Sequence, residues 1–284
     1  MRIGMNGWPS NWNLGDARKL KSAGLDTIRV QFLPESEWYE NQIQAFHDVV
    51  LPDCHAQGLG VILNIWFREA EYFTNYRAVW GDLIDLYDHR DCVVAYDLVN
   101  EPKSAEYLNW ASEIAKSVRA LTNKPLIIQP GHGPDCNGFA DLKPINDDNI
   151  IYSFHSYEPY PFTFQGLEGR DTGVSWPGES YGAHRDIKWL FRRYKEAIRF
   201  QWRYGAKILL GEMGCSLHCP DEDAERYFRD NLTLCRRLGW DLMIHGWGTP
   251  DFPDRLDMAK RLLAKPQGVA AGTQQEQQSQ QSVA

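Results

Sequence analysis

The 284 residues, 43% hydrophobic and 24% charged, carry enough apolar bulk for one large domain or two small ones. A formal net charge of −8 argues against gripping nucleic acid or an anionic membrane, and no run approaches the ~20 apolar residues of a membrane-spanning helix. A neutral polymer is compatible with that balance, and the informative number is the aromatic content, 13% with 11 Trp.

In chain order, short β-type runs alternate with longer helical patterns, the signature of βα units and a parallel sheet. The opening MRIGMNGWPSNWN has no apolar stretch of the secretion-signal type. It reads as a strand, Arg2–Asn6, and a loop in which Trp8 and Trp12 stand either as a sugar platform or as a hydrophobic cap. A helix around Ala17–Ser22 leads to a strand at Thr27–Phe32, then a helix at Ile43–Ala56 and a strand at Gly60–Trp66. Tyr76–Tyr87 and Tyr107–Leu121 are helical patterns on either side of a strand at Val93–Val99. The second is the clearest in the chain, with Leu108, Ala111, Ile114, Ala115, Val118 and Leu121 on one face. A strand at Leu126–Gln129 follows, and the Gly-, Pro- and Asp-rich connection over 131–149 predicts a short helix at most.

Strands at Ile150–His155, Lys207–Gly211 and Leu242–Gly246 complete the set, separated by helices at Ile187–Tyr204 and Asp223–Leu238 and followed by one at Arg255–Leu263. The acidic run Asp221-Glu222-Asp223 suits a helix start, where the dipole favours negative charge. Runs such as VILNIW and KILLG are apolar throughout, as strands buried on both faces are. Eight such strands in series fit a closed (β/α)8 TIM barrel of one domain, residues 1–265. An open doubly wound sheet is less apt, because no GxGxxG follows the first strand. Residues 266–284 are Gln-rich without aromatics, and they read as a disordered tail.

The six cysteines are scattered, and a chain of this length does not need disulfides to fold. Cys215, His218 and Cys219 lie close together but lack a second half-site, so no metal and no other cofactor is expected. The chain as written is expected to be cytoplasmic, or secreted if a leader has been removed, and to act as a monomer.

In a barrel of this kind the chemistry stands at the C-terminal ends of the strands. The second strand offers Arg29 there, the fourth Asn100-Glu101-Pro102, the sixth His155-Ser156-Tyr157, the seventh Glu212 and the eighth His245-Gly246-Trp247. A single strand-end glutamate is most often a surface carboxylate in an ion pair. Two of them, Glu101 and Glu212, each following an apolar strand, point to a pair that shares an acid and a nucleophilic role. His132, in the loop after the fifth strand, is open to two readings, a substrate contact or a turn residue.

Arg29, Asn100-Glu101-Pro102, His155-x-Tyr157, Glu212 and Trp247 together resemble glycoside hydrolase family 5, the cellulase-like enzymes of clan A. The resemblance spans roughly residues 1–265. It implies a retaining glycosidase with Glu101 as general acid/base and Glu212 as nucleophile. It further implies that Asn100 binds the substrate 2-hydroxyl and that Tyr157 and Arg29 hold Glu212 ionised. His155 would line the catalytic subsite and Trp247 would form its floor. After the third strand, family members often carry a histidine, whereas this chain has Asn64 and Trp66 in that region. The segment YEPYPFTFQG also resembles a loop of some bacterial members.

The expected substrate is a β-linked polysaccharide or oligosaccharide cut internally, a β-1,4-glucan first. Trp66, Trp8 and Trp12 would extend the sugar platform. A mannanase, an exo-acting β-glucanase or a transglycosylase would use the same machinery. A non-catalytic carbohydrate-binding barrel is the reading from another class.

Overall fold

The computed structural model describes residues 1–67, 72–103, 107–131, 133, 135–167, 178–182 and 185–264. Eight parallel strands close on themselves in sequence order: β1 (Ile3–Gly7), β2 (Thr27–Phe32), β3 (Gly60–Ile65), β4 (Val93–Asp97), β5 (Leu126–Ile128), β6 (Ile150–His155), β7 (Lys207–Met213) and β8 (Asp241–Trp247). Each crossover carries helical structure, and the expected (β/α)8 barrel in a single domain is what the chain forms. The expected tail and His132 fall outside the described residues, among which no helix is long and apolar enough to cross a membrane.

Alternation along the strands divides the core in two. Outward positions such as Ile28, Val30, Val61, Leu63, Leu126, Ile128, Ile208 and Leu210 join the helices in one large apolar cluster. A fully buried side chain of this size contributes roughly 1.5–3 kcal/mol, so this shell is the main source of stability. Inward positions behave differently at the two ends of the barrel. The lower layer, Ile62, Ala95, Ile127, Leu209 and Met243, is an apolar floor. Gly4 makes room for it, since a β-carbon there would lie 2.5 Å from Met243 Sδ. Above the floor the inward residues turn polar: Asn6, Arg29, Gln31, Asn64, Asp97, Gln129, Ser153 and His155 are all buried. Burial of this many polar groups is tolerable only if they satisfy one another.

Besides a start at Tyr72 rather than Tyr76 and an additional short helix at Tyr160–Thr163, the helices depart from expectation in two places. The helix expected from Ile43 starts earlier, at Tyr39, and runs to Gln57 through a widened π turn at Phe46–Val50. That turn stands beside Pro52, which has no N–H to donate and crowds the carbonyl four residues back. The helix expected over 187–204 is broken at Tyr194 into Ile187–Arg193 and Lys195–Tyr204. The Tyr194 ring is buried at the break, packed on Phe154 and Trp240 with its hydroxyl on Asn231. The fifth connection holds only a 3-10 turn, Cys136–Ala140, and the acidic run opens the helix Asp221–Leu238, both as expected.

Candidate active site

Arg29 is the hub of the polar layer. From β2 its guanidinium donates to Asp97 Oδ2 (2.7 Å), Asn6 Oδ1 (2.8 Å), Glu212 Oε1 (2.9 Å) and Asn100 Oδ1 (2.7 Å). The planar fork of arginine suits this, because its donors diverge in fixed directions toward β1, β4, β7 and the segment that follows β4. Asp97 also accepts from Gln129 Nε2 at 3.1 Å on each oxygen. Asn6 anchors the far side through the Gly211 carbonyl (2.9 Å).

Glu212 reaches this hub by an irregularity in β7. Leu209 faces inward, so simple alternation would turn Glu212 outward with Leu210. The β6–β7 register instead pairs Phe154 with Leu210 and His155 with Glu212, which leaves Gly211 as the bulged residue. A β-carbon at Gly211 would lie 2.4 Å from Ser153 Oγ and 3.0 Å from His155 Nε2, so glycine is what lets the bulge and the histidine coexist. The turned-in carboxylate accepts from Arg29 and from Gln31 Nε2 (2.9 Å) on Oε1, and from the Tyr157 hydroxyl (2.7 Å) on Oε2. Burial opposes its charge, but the His155 and His245 rings, Arg29 and Tyr157 outweigh it and hold the carboxyl down at about 2. Burial also lowers His245 below the ordinary histidine value, so near neutral pH that ring is uncharged and the permanent cation, Arg29, carries the effect. Burial and Glu212 push the Tyr157 hydroxyl far up, so it stays a donor.

Glu101 stands past the end of β4, with its backbone at φ 47°. A left-handed conformation at a non-glycine residue costs on the order of 1–3 kcal/mol and needs support from its surroundings. Gln129 supplies it by accepting the Glu101 backbone N–H at 2.9 Å. The side chain, 22% exposed, meets His155 Nδ1 through Oε1 at 2.7 Å. Carboxylate oxygens of Glu101 and Glu212 and a ring nitrogen of His155 lie within 4.8 Å of one another. Carboxyl groups ~5–5.5 Å apart flank a bond in the retaining manner, whereas inverting pairs stand about 6.5–9.5 Å apart.

Three donors this close also have the composition of a metal cage. Arg29 argues against that use. It already places a fixed positive charge 2.9 Å from Glu212, whose oxygens accept three hydrogen bonds. Among the described residues no other trio of this kind occurs. Cys215 and Cys219 are buried, and the Cys219 thiol donates to the Phe162 carbonyl (3.0 Å).

The aromatic residues sort into two groups. Trp8 and Trp66 stack at the rim, centroids 6.0 Å apart and planes within 22°, with Trp66 42% exposed. Trp12 is no platform: it is buried with its indole N–H on Asp53 Oδ2 (3.0 Å), and it packs against Trp247. Trp247 itself is only 6% exposed and belongs to the core cluster, so most of its ring is packing. Asn64, on β3, lies beneath the site and donates to the Asp97 carbonyl (3.2 Å).

The structure thus brings Arg29, Asn100, Glu101, His155, Tyr157 and Glu212 together and sets Trp8 and Trp66 on the rim. Sequence reasoning gave no part to Gln31, Asn6 or Gln129, and it set His245 at a strand end without a role. Period-two alternation in TIRVQF puts Gln31 on the face of Arg29 and is the signal that finds it. His245, on β8, brings Nδ1 to 3.4 Å from Glu212 Oε2.

Comparison with known proteins agrees with this geometry. Endoglucanase C of Acetivibrio thermocellus is 22% identical over 297 aligned positions, covering 82% of this chain and 86% of its own. Among solved structures, the cellulose synthase subunit Z of Clostridioides difficile superposes with a TM-score of 0.79 at 19% identity, covering 93% of this chain and all of its own. Thermotoga maritima Cel5A, solved with mannotriose, gives 0.78 at 18% identity over 92% of this chain and 97% of its own. The family profile for cellulase, glycosyl hydrolase family 5, matches residues 4–246. With most of its length matched and a carboxylate pair at the barrel mouth, the chain belongs to glycosyl hydrolase family 5 and is a glycoside hydrolase.

Proposed function

We propose that this hydrolase is an endo-acting β-1,4-glucanase in which Glu212 is the nucleophile and Glu101 the general acid/base. The observation that carries the reading is the unequal footing of two close carboxylates. Glu212 is held ionised by Arg29, Gln31 and Tyr157, whereas Glu101 shares one contact with a titratable ring. In the first step Glu212 attacks the anomeric carbon while Glu101 gives its proton to the glycosidic oxygen, and the leaving chain departs as an alcohol. In the second, Glu101 takes a proton from water, whose oxygen displaces Glu212 with the anomeric configuration retained.

The attacking atom is Oε2. Oε1 carries two donors and points to Arg29, while Oε2 carries one and lies on the side of His155, 3.7 Å from its Nδ1. Asn100 Oδ1 accepts from Arg29, so its amide N–H is the group left to donate to the sugar 2-hydroxyl. His155 lines the catalytic subsite, Trp247 backs its floor with the small exposed part of its ring, and the Trp8–Trp66 stack offers a platform further along the cleft. Asn64 supports the site from below. The reading includes action as a monomer, which the oligomeric state in solution would test.

The glucan preference follows the endoglucanase relative. Mannan is the second reading, because T. maritima Cel5A is described with cellobiose as well as mannotriose. Viscosity and new reducing ends, followed together on soluble cellulosic polymer and on mannan, test the proposal. Rapid viscosity loss with mixed oligosaccharides on the glucan is expected. Release of monosaccharide alone would overturn endo action, and binding without turnover would overturn the catalytic roles.

A further inference from the structure

His245 is held in a defined place beside the nucleophile without bonding to it. Its ring meets Tyr157 edge-on (5.9 Å, 81°) and Phe252 likewise (5.7 Å, 81°), and those two rings pack on each other. Backbone register pairs it with Asn6 on β1. The Nδ1 atom is enclosed, accepts and donates no hydrogen bond, and sits 3.4 Å from Glu212 Oε2. The side chain is 17% exposed, so protons reach it through its other atoms.

We propose that His245 is a positioning residue for Glu212: neutral, it leaves Oε2 free to attack, and protonated, it captures that oxygen and closes the first step at acid pH. The proposal rests on Glu212 being the nucleophile. An imidazolium so placed would draw in to form a charge-assisted hydrogen bond, typically ~2.7–2.9 Å, to the atom that must attack. It would also place positive charge beside an anomeric carbon that is itself becoming positive. Both effects slow glycosylation, and neither needs Glu212 to be protonated.

The groups that face His245 are Glu212 on β7, His155 on β6, Tyr157 beyond it, Arg29 on β2 and Glu101 beyond β4, with neutral Asn6 and apolar Phe252 completing the surround. Burial lowers the ring below the ordinary histidine value; Glu212 opposes this, His155 and Arg29 add to it, and Glu101 opposes it weakly. Glu212, held at about 2, is too acidic to set a limb in the usual working range. An acid limb below roughly 6.5, the ordinary histidine value, belongs to His245 only if it moves when that ring is replaced.

The test is the pH profile of kcat/KM on an aryl β-cellobioside with a good leaving group, for the wild type, His245→Gln and His245→Asn. The acid limb should move down by at least about one pH unit in both variants, with the neutral plateau within about tenfold of wild type. A limb that stays in place in a folded variant overturns the role. Independently of any variant, the His245 ring signal, assigned through its contacts with Tyr157 and Phe252, can be titrated by NMR. Trapping the wild type with a 2-deoxy-2-fluoro cellobioside removes the carboxylate charge, so the midpoint should fall; an unmoved midpoint overturns the coupling. Peptide mapping of the trapped enzyme separates the two levels. A label on a residue other than Glu212 overturns the nucleophile assignment and this inference with it, whereas a label on Glu212 with an unmoved limb overturns His245 alone.

Discussion

Glu212 lies within β7 with 6% of its side chain exposed, and three donors occupy its two oxygens. Glu101 lies beyond the end of β4 on a left-handed backbone, 22% exposed, and its carboxylate meets a single imidazole nitrogen. The two settings suit the two duties proposed for them. A nucleophile must stay ionised and hold one direction, which fixed donors and a permanent cation secure. An acid/base must gain and lose a proton in every turnover, so a crowd of donors would trap it in one state. Glu101 has the imidazole of His155 beside it and stands open to water, as a group that exchanges protons with substrate and solvent must.

The largest effect should come from breaking the pair itself. Glu212→Ala should lose on the order of 10^4-fold or more in kcat, the scale seen when hydrolases lose a covalent nucleophile. Azide should restore part of it with an inverted anomeric product. Glu101→Ala should lose about 10^2–10^4-fold on polymer, yet far less on substrates with good leaving groups, and azide should rescue it with retention. Product anomers read by NMR decide the matter; if the two variants exchanged behaviours, the roles assigned to the two settings would be reversed.

Arg29 sharpens the contrast, because its guanidinium bonds the Glu212 carboxylate and not that of Glu101. Arg29→Met leaves Asp97 and Glu212 buried without their cation, a loss of about 3–5 kcal/mol on breaking a buried pair. The pH dependence carries the sign. A carboxyl held at about 2 in the folded chain contributes stability above the ordinary carboxylate value, and that contribution is lost as pH falls through about 2. Without Arg29 the folded value rises, so acid unfolding should begin at higher pH. Denaturant unfolding at neutral pH and an acid titration by circular dichroism would show both; an unaltered acid transition would mean that Arg29 does not hold Glu212 down.

Much of this was legible in the sequence, and the illegible part has a common cause. Apolar runs separated by helical periodicity mark eight strands, and polar residues at their ends mark the mouth. What the runs do not display is facing. Gln31 becomes a partner once alternation within β2 is followed, Gln129 only one residue past the end of β5, and Glu212 faces inward only because Gly211 bulges. A bulge adds no residue type that periodicity can detect. Of the two readings open for Trp12, the buried cap is the one the structure favours: it packs against Trp247, an arrangement set by the loop between β1 and the helix Asp16–Ser22, which periodicity does not describe. The π turn beside Pro52 was the more readable kind of departure, since proline announces it.

The smallest effect should come from Trp66, which lies outside both carboxylate settings. Its ring is 42% exposed and stacked on Trp8, so truncation removes little from the core. If the stack is a sugar platform, Trp66→Ala forfeits one aromatic face for the substrate, worth roughly 0.5–1.5 kcal/mol by the range for aromatic pairs, or about two- to tenfold in KM. The melting temperature and kcat should barely change, because neither the Arg29 hub nor the Glu101–His155 contact involves this ring. Length dependence is the sharper reading: a platform away from the cut acts on long chains, so the KM rise should appear on cellulosic polymer and shrink on a short aryl β-glucoside. An equal loss of kcat on both substrates would place Trp66 within the setting of the glutamates, and the separation drawn between the rim and the two carboxylates would fail.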